Sequence, residues 1–127
     1  MNMDEVRELV ARQAQAWMQQ DIGLALEDFA VDAVFISPGG RWQGWDAIRR
    51  AAEGYFAVAA QVTVKIVRVL YDGRYGAVEW TWEETQRSTG LRHAADDAII
   101  FELRDGKIVY WREYFDTAQL AHPLDAP

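Results

Sequence analysis

The sequence predicts an α+β domain in which three N-terminal helices cover one face of a curved, mostly antiparallel sheet. Apolar residues recur at three- and four-residue steps up to about residue 60 and then fall into β-rich runs. Those runs are joined by connections short enough to force hairpins. Helices lying on one face of a curled sheet enclose a pocket.

Over residues 3–20, Val6, Leu9, Val10, Gln13, Ala14, Trp17 and Met18 form one helical stripe in which Gln13 is the polar exception. Asp21 is placed to cap a second, shorter helix reaching about Ala30, with Ile22, Leu26 and Phe29 inward. A strand over residues 33–37 stops at Pro38-Gly39-Gly40. Gly44 and Asp46 precede a third helix, with Trp45, Ile48, Ala52, Tyr55 and Phe56 on one side, that fades near Ala60. Strands are then expected over residues 61–71, 75–87, 91–104 and 107–116, punctuated by Asp72-Gly73, Ser88-Thr89-Gly90 and Asp105-Gly106. The tail from Thr117 carries no clear pattern.

A length of 127 residues suits one domain spanning residues 1–127. Half the residues are hydrophobic and 13% aromatic, enough for a packed core, while mean hydropathy of −0.23 and the lack of a long apolar run argue against a membrane span. Thirteen basic against twenty acidic residues leave a net charge of −7, which repels phosphate backbones and anionic lipid. Nucleic acid and membrane are therefore not expected as partners, and neutral or cationic small molecules remain. With no cysteine, disulfides, thiol nucleophiles and cysteine–zinc sites are excluded. The N-terminal stretch is acidic and amphipathic rather than signal-like, so a cytoplasmic location is the expectation.

Strand alternation singles out two acids. Phe101 and Leu103 must face the helices, which turns Ile99, Asp97 and Ala95 the same way. On the last strand Val109, Trp111 and Phe115 form the apolar parity and Glu113 lies among them, with Ile108, Tyr110, Arg112 and Tyr114 opposite. If Arg104-Asp105-Gly106 is a three-residue loop, Leu103 faces Lys107 and Asp97 faces Glu113. Two carboxylates held that close in a poorly solvated wall cannot both ionise cheaply, so one must keep its proton above the ordinary carboxylate range. Such a pair is an acid–base device. The alternative is structural, with Asp97 solvated near a mouth and Glu113 neutralised by Arg112, Arg92 or Lys65.

His93 shares the parity of Asp97 and could act as a base, although a solvated rim position suits it better; His122 lies in the tail. Neither the two distant histidines nor Asp97, Glu113 and Glu84 make a metal set, and the glycines lack a phosphate-cradling pattern. No metal and no cofactor are expected.

Asp32-Ala33-Val34-Phe35 followed by Pro38-Gly39-Gly40, then Gly44-Trp45-Asp46-Ala47-Ile48, Asp105-Gly106-Lys107-Ile108 and Trp111-Arg112-Glu113-Tyr114-Phe115-Asp116, resemble the nuclear transport factor 2-like cone fold over nearly the whole chain. Residues 77–116 resemble the limonene-epoxide-hydrolase-like members, and the general pattern resembles SnoaL-like polyketide cyclases and ketosteroid isomerases. The epoxide hydrolase resemblance implies an Arg-x-Asp pair and a last-strand acid; Trp80-Thr81-Trp82 stands at the first and Glu113 at the second. The ketosteroid isomerase Tyr and two Asp positions are held by Gln13, Ser37 and Ile99. The fold is thus implied strongly and the chemistry weakly.

A hollow cone implies that Trp17, Phe35, Phe56, Trp80, Trp82, Phe101 and Trp111 line a ligand pocket, although such aromatics can equally fill a core. Ile100, Ile108, Tyr110 and Tyr114, among Glu79, Glu83, Glu102 and Arg112, suggest a homodimer contact on the outer sheet face. The functional expectation is a protein that binds a small hydrophobic molecule, with cofactor-free cyclase, isomerase or hydrolase chemistry at Glu113 and Asp97. The alternative is a noncatalytic ligand-binding or dimerisation module.

Overall fold

The computed structural model describes residues 1–124. Helix α1, Met3–Gln19, starts at a capping box in which Glu5 N donates to Asn2 Oδ1 at 2.8 Å and Asn2 N to Glu5 Oε1 at 3.0 Å. Its stripe is buried as expected except at Met18, which is exposed while Ala16 packs inward. Gln13 is inward because its Nε2 donates to the Ala25 carbonyl at 2.8 Å, tying α1 to α2, Ile22–Glu27. Asp21 caps α2 through Leu24 N.

Helix α2 ends earlier than the pattern suggested, because strand β1, Phe29–Ser37, is captured by the last strand. Ile108 N donates to the Asp28 carbonyl at 2.8 Å, and Arg12 clamps the Asp28 carboxylate with two hydrogen bonds of 3.0 and 3.2 Å. Pro38-Gly39 does not end the sheet. It turns the chain into β2, Gly40–Gln43, a short antiparallel partner of β1. Helix α3, Trp45–Val58, follows Gly44 at φ +87°, and the Trp45 indole donates to the Phe29 carbonyl at 3.0 Å.

Four long strands complete the sheet: β3, Ala59–Tyr71; β4, Tyr75–Gln86; β5, Arg92–Arg104; and β6, Lys107–Phe115. The order is β2-β1-β6-β5-β4-β3, antiparallel throughout except for the β1–β6 pair. A fourth helix, α4, Thr117–Ala121, forms in the tail, so the helices number four among the described residues rather than three. It covers β5 where that strand outruns β6. Asp96 N donates to Gln119 Oε1 and Leu124 N to the Arg92 carbonyl, pairing backbone groups that would otherwise form a free edge.

The β5–β6 register differs from the expected one. Asp105 and Gly106 both take positive φ, +53° and +76°, and make a two-residue turn that pairs Arg104 with Lys107. Val109 is then inserted as a bulge, since Leu103 opposes Ile108 but Glu102 opposes Tyr110. Two consequences follow. Ile108 is fully buried in the core rather than on the outer face, and Asp97 opposes Phe115 while Glu113 opposes Ile99. The two acids are therefore diagonal neighbours on one face rather than direct partners.

The sheet's inner face packs against α1, α2 and α3. On β5 the alternation is complete, with His93, Ala95, Asp97, Ile99, Phe101 and Leu103 all buried. The ring of Phe101 lies across Gly76 on β4, where any Cβ would collide with it. No helix among the described residues is long and apolar enough to cross a membrane.

Candidate functional site

Between the helices and the sheet lies a cavity of about 190 Å³. Strand β5 supplies Ala95 and Asp97 to its wall, β6 supplies Glu113 and Phe115, and β4 supplies Trp82 and Glu84. Helix α3 closes the opposite side with Ile48, Ala51, Ala52 and Tyr55, while Ser37, Trp42 and Leu120 stand toward the C-terminal ends of β1, β2 and α4.

Of the aromatics expected to line the pocket, Trp17, Phe35 and Trp82 do so. Trp80, Phe101 and Trp111 do not: they are at most 1% exposed and pack on one another, with ring centroids 5.8 Å apart for both Trp80–Trp111 and Phe101–Trp111. They fill the closed end of the fold. Phe56 also lies off the wall, against Trp17 and Tyr55 at 5.6 and 5.8 Å, because one helical step turns it about 100° from its cavity-lining neighbour.

Asp97 and Glu113 both line the cavity. Asp97 is only 3% exposed, so it is not the solvated mouth residue of the structural alternative. Its Oδ2 accepts from the Trp80 indole at 3.1 Å, and Glu113 Oε2 accepts from the Trp111 indole at 3.0 Å. The buried tryptophans thus leave the wall but act as donors that fix each carboxyl group.

Arg92 is drawn to Glu83 and Thr85, and Arg112 lies 4.8 Å over the Tyr114 ring. Both cations are engaged away from the carboxyl pair. Burial pushes Asp97 up from the ordinary aspartate value. Glu113 is pushed well above the ordinary glutamate value, by burial first and then by the neighbouring Asp97 carboxyl group. Both shifts favour retention of a proton by the pair, on Glu113, and Asp97 Oδ1 has no hydrogen-bond partner among the described residues.

A second polar group was not foreseen. The Tyr55 hydroxyl accepts from the Trp82 indole at 2.8 Å and donates to Glu84 Oε1 at 3.0 Å. Burial, and then the nearby Glu84 charge, raises the tyrosine above its usual value. Glu84 could have been found from alternation, since it shares the parity of Trp80 and Trp82 on β4. Tyr55 could not be told from a core residue by helical periodicity. His93 corrects the expectation of a solvated rim position: it is 4% exposed and opposes Glu84, and neither ring nitrogen has a hydrogen-bond partner among the described residues. Among the described residues no cluster of three or more His, Asp or Glu could hold a metal ion.

A fold of this order, with a polar-tipped cavity beneath its helices, defines a class of small cone-like α+β proteins. The model of the SnoaL-like domain matches residues 10–111, and the chain belongs to that family, within the nuclear transport factor 2-like superfamily. Among solved structures, an LEH-like epoxide hydrolase from M. tuberculosis is 24% identical, with a TM-score of 0.79 over 93% of this chain and 87% of that one. An NTF2-like protein of unknown function from Burkholderia pseudomallei is 18% identical, with a TM-score of 0.85 over 98% and 100%. TsrD from Streptomyces laurentii is 16% identical, with a TM-score of 0.86 over 100% and 99%. At these identities the likeness is one of fold.

The raised Glu113 value carries a stability consequence. The folded chain holds this proton more tightly than the unfolded chain, so the contribution is complete below the ordinary glutamate range. It is lost as pH rises through the raised folded value. The Glu113→Gln protein keeps a neutral hydrogen-bond donor at every pH. Its stability relative to wild type, measured by urea unfolding, is predicted to grow from pH 5 to pH 8, with a slope approaching but not exceeding about 1.4 kcal/mol per pH unit. A constant difference would contradict the assignment of the proton.

Proposed function

We propose that this SnoaL-like protein binds a small, largely hydrophobic molecule in its cavity and moves a proton on it without a cofactor. The observation that supports this is the pair of neighbouring carboxyl groups, Asp97 and Glu113, facing an aromatic-walled cavity. Glu113, carrying the shared proton, acts as the acid toward a carbonyl or epoxide oxygen, and Asp97 acts as the base. The apolar wall raises both groups, and the interaction between them favours the proton on Glu113, as acid–base chemistry near neutral pH requires. Trp17, Phe35 and Trp82 grip the body of the ligand, while Trp80 and Trp111 position the carboxyl groups. Isomerase, cyclase and hydrolase reactions all begin with such a transfer.

Two probe reactions test this: deuterium exchange at the α-carbon of 2-tetralone in heavy water, and hydrolysis of styrene oxide. The wild-type protein is predicted to accelerate at least one, and Glu113→Gln and Asp97→Asn each to lower that rate about 100-fold or more. Undiminished turnover in both variants overturns the roles. Binding of 2-tetralone with neither reaction accelerated favours the noncatalytic module instead.

We also propose that a second copy of the chain covers the outer sheet face. Ile100 and Tyr114 are 43% and 49% exposed there. Glu79, Glu102 and Arg112 around them supply both signs of charge, which a two-fold contact can pair with itself. Light scattering is predicted to give the dimer mass for wild type and the monomer mass for Ile100→Glu. A wild-type monomer at working concentration contradicts the contact.

A further inference from the structure

Glu84 and Tyr55 form a polar end of the cavity that the carboxyl pair does not use, and His93 is the buried cross-strand neighbour of Glu84. Tyr55 and Glu84 line the cavity, and the Tyr55 hydroxyl occupies Glu84 Oε1. Glu84 Oε2 receives no hydrogen bond among the described residues. Opposite Glu84 stands His93, 4% exposed with both ring nitrogens unpartnered. It is on the same inward face as the cavity-lining Ala95. Buried polar atoms are normally paired, and this imidazole finds no partner in the described protein.

The charge balance of the wall points the same way. Among the described residues the lining holds the carboxyl groups of Glu84, Asp97 and Glu113 and no lysine or arginine. Tyr55 is hydrogen-bonded to Glu84, Trp82 packs on Tyr55 at 5.7 Å, and Trp17 packs on Trp82 at 6.0 Å. Carboxylates and ring faces attract cations by separate mechanisms, and both repel anions. Neutral ligands would leave these attractions unused.

We infer that the cavity takes a small protonated amine, with its ammonium group bound by Glu84 and His93 against Trp82 and its apolar body extending toward Asp97 and Glu113. The levels of the two polar ends are four residues apart along β4 and β5, roughly 13 Å of strand. A cavity of about 190 Å³ suits a compact molecule with one ring or a short chain. Only the direction of the body rests on the proton-transfer reading; the amine end stands on its own residues.

Titration calorimetry with 2-phenylethylamine and its neutral isostere 2-phenylethanol, at neutral pH, tests the inference. Wild type is predicted to bind the amine at least about tenfold more tightly than the alcohol. Glu84→Gln is predicted to abolish that preference, and Glu113→Gln to retain it. Should Glu84→Gln fail to fold, Tyr55→Phe serves in its place, because losing the hydroxyl that orients Glu84 must reduce the preference. Equal affinities in wild type, no saturable amine binding, or a preference that survives at Glu84 and Tyr55 overturns the site. A preference that follows Glu113 instead places the amine at the carboxyl pair and also overturns it. Failure of the proton-transfer reading is separate, since it is read from exchange and hydrolysis rates rather than from amine selectivity.

Discussion

Two carboxyl groups on one face of adjoining strands, each beside an indole and facing a cavity beneath helices, resist carrying charge together, and a proton is favoured between them. The surroundings of Asp97 and Glu113 follow from that constraint. Each carboxyl group receives one indole N–H, from Trp80 and Trp111, which fixes its orientation without adding a compensating charge. A lysine or arginine in those positions would have ionised both acids and produced a structural ion pair. Neutral donors instead leave the pair sharing one proton.

The scaffold makes this constraint tolerable. The Asp105-Gly106 turn and the Val109 bulge set the register in which Glu113 lies diagonal to Asp97. The closed end is packed by Trp80, Trp111 and Phe101, with Phe101 lying across Gly76. At the other end, α4 pairs the strand edge that β6 leaves open and brings Leu120 to the cavity. The same short helix therefore completes both the sheet and the site.

Much of the architecture was legible because alternation and periodicity report which face of an element is buried. The α1 stripe, the four long strands and the inward parity of Asp97 on β5 were read in this way. The bulge was not legible: inserting one residue leaves local composition unchanged, yet it sends Ile108 inward and shifts every later pairing on β6. The β2 strand and the early end of α2 were missed for a related reason, since both are imposed by tertiary pairing to β1. Parity also cannot say how deep a residue sits. Trp80 and Trp82 share a face, but one is packed in the closed end and the other lines the cavity. His93 was misplaced because nearness to a hairpin suggested solvent, whereas the tail folds back over β5 at Arg92 and Asp96.

The central claim is that Glu113 holds a proton at a pH where an ordinary glutamate does not. Infrared spectroscopy of protein carrying ¹³C-carboxyl glutamate observes that proton directly. The account predicts an isotope-shifted protonated-carboxyl band at neutral pH, present in wild type and absent from Glu113→Gln. A wild-type spectrum at neutral pH containing only ionised glutamate bands would contradict it.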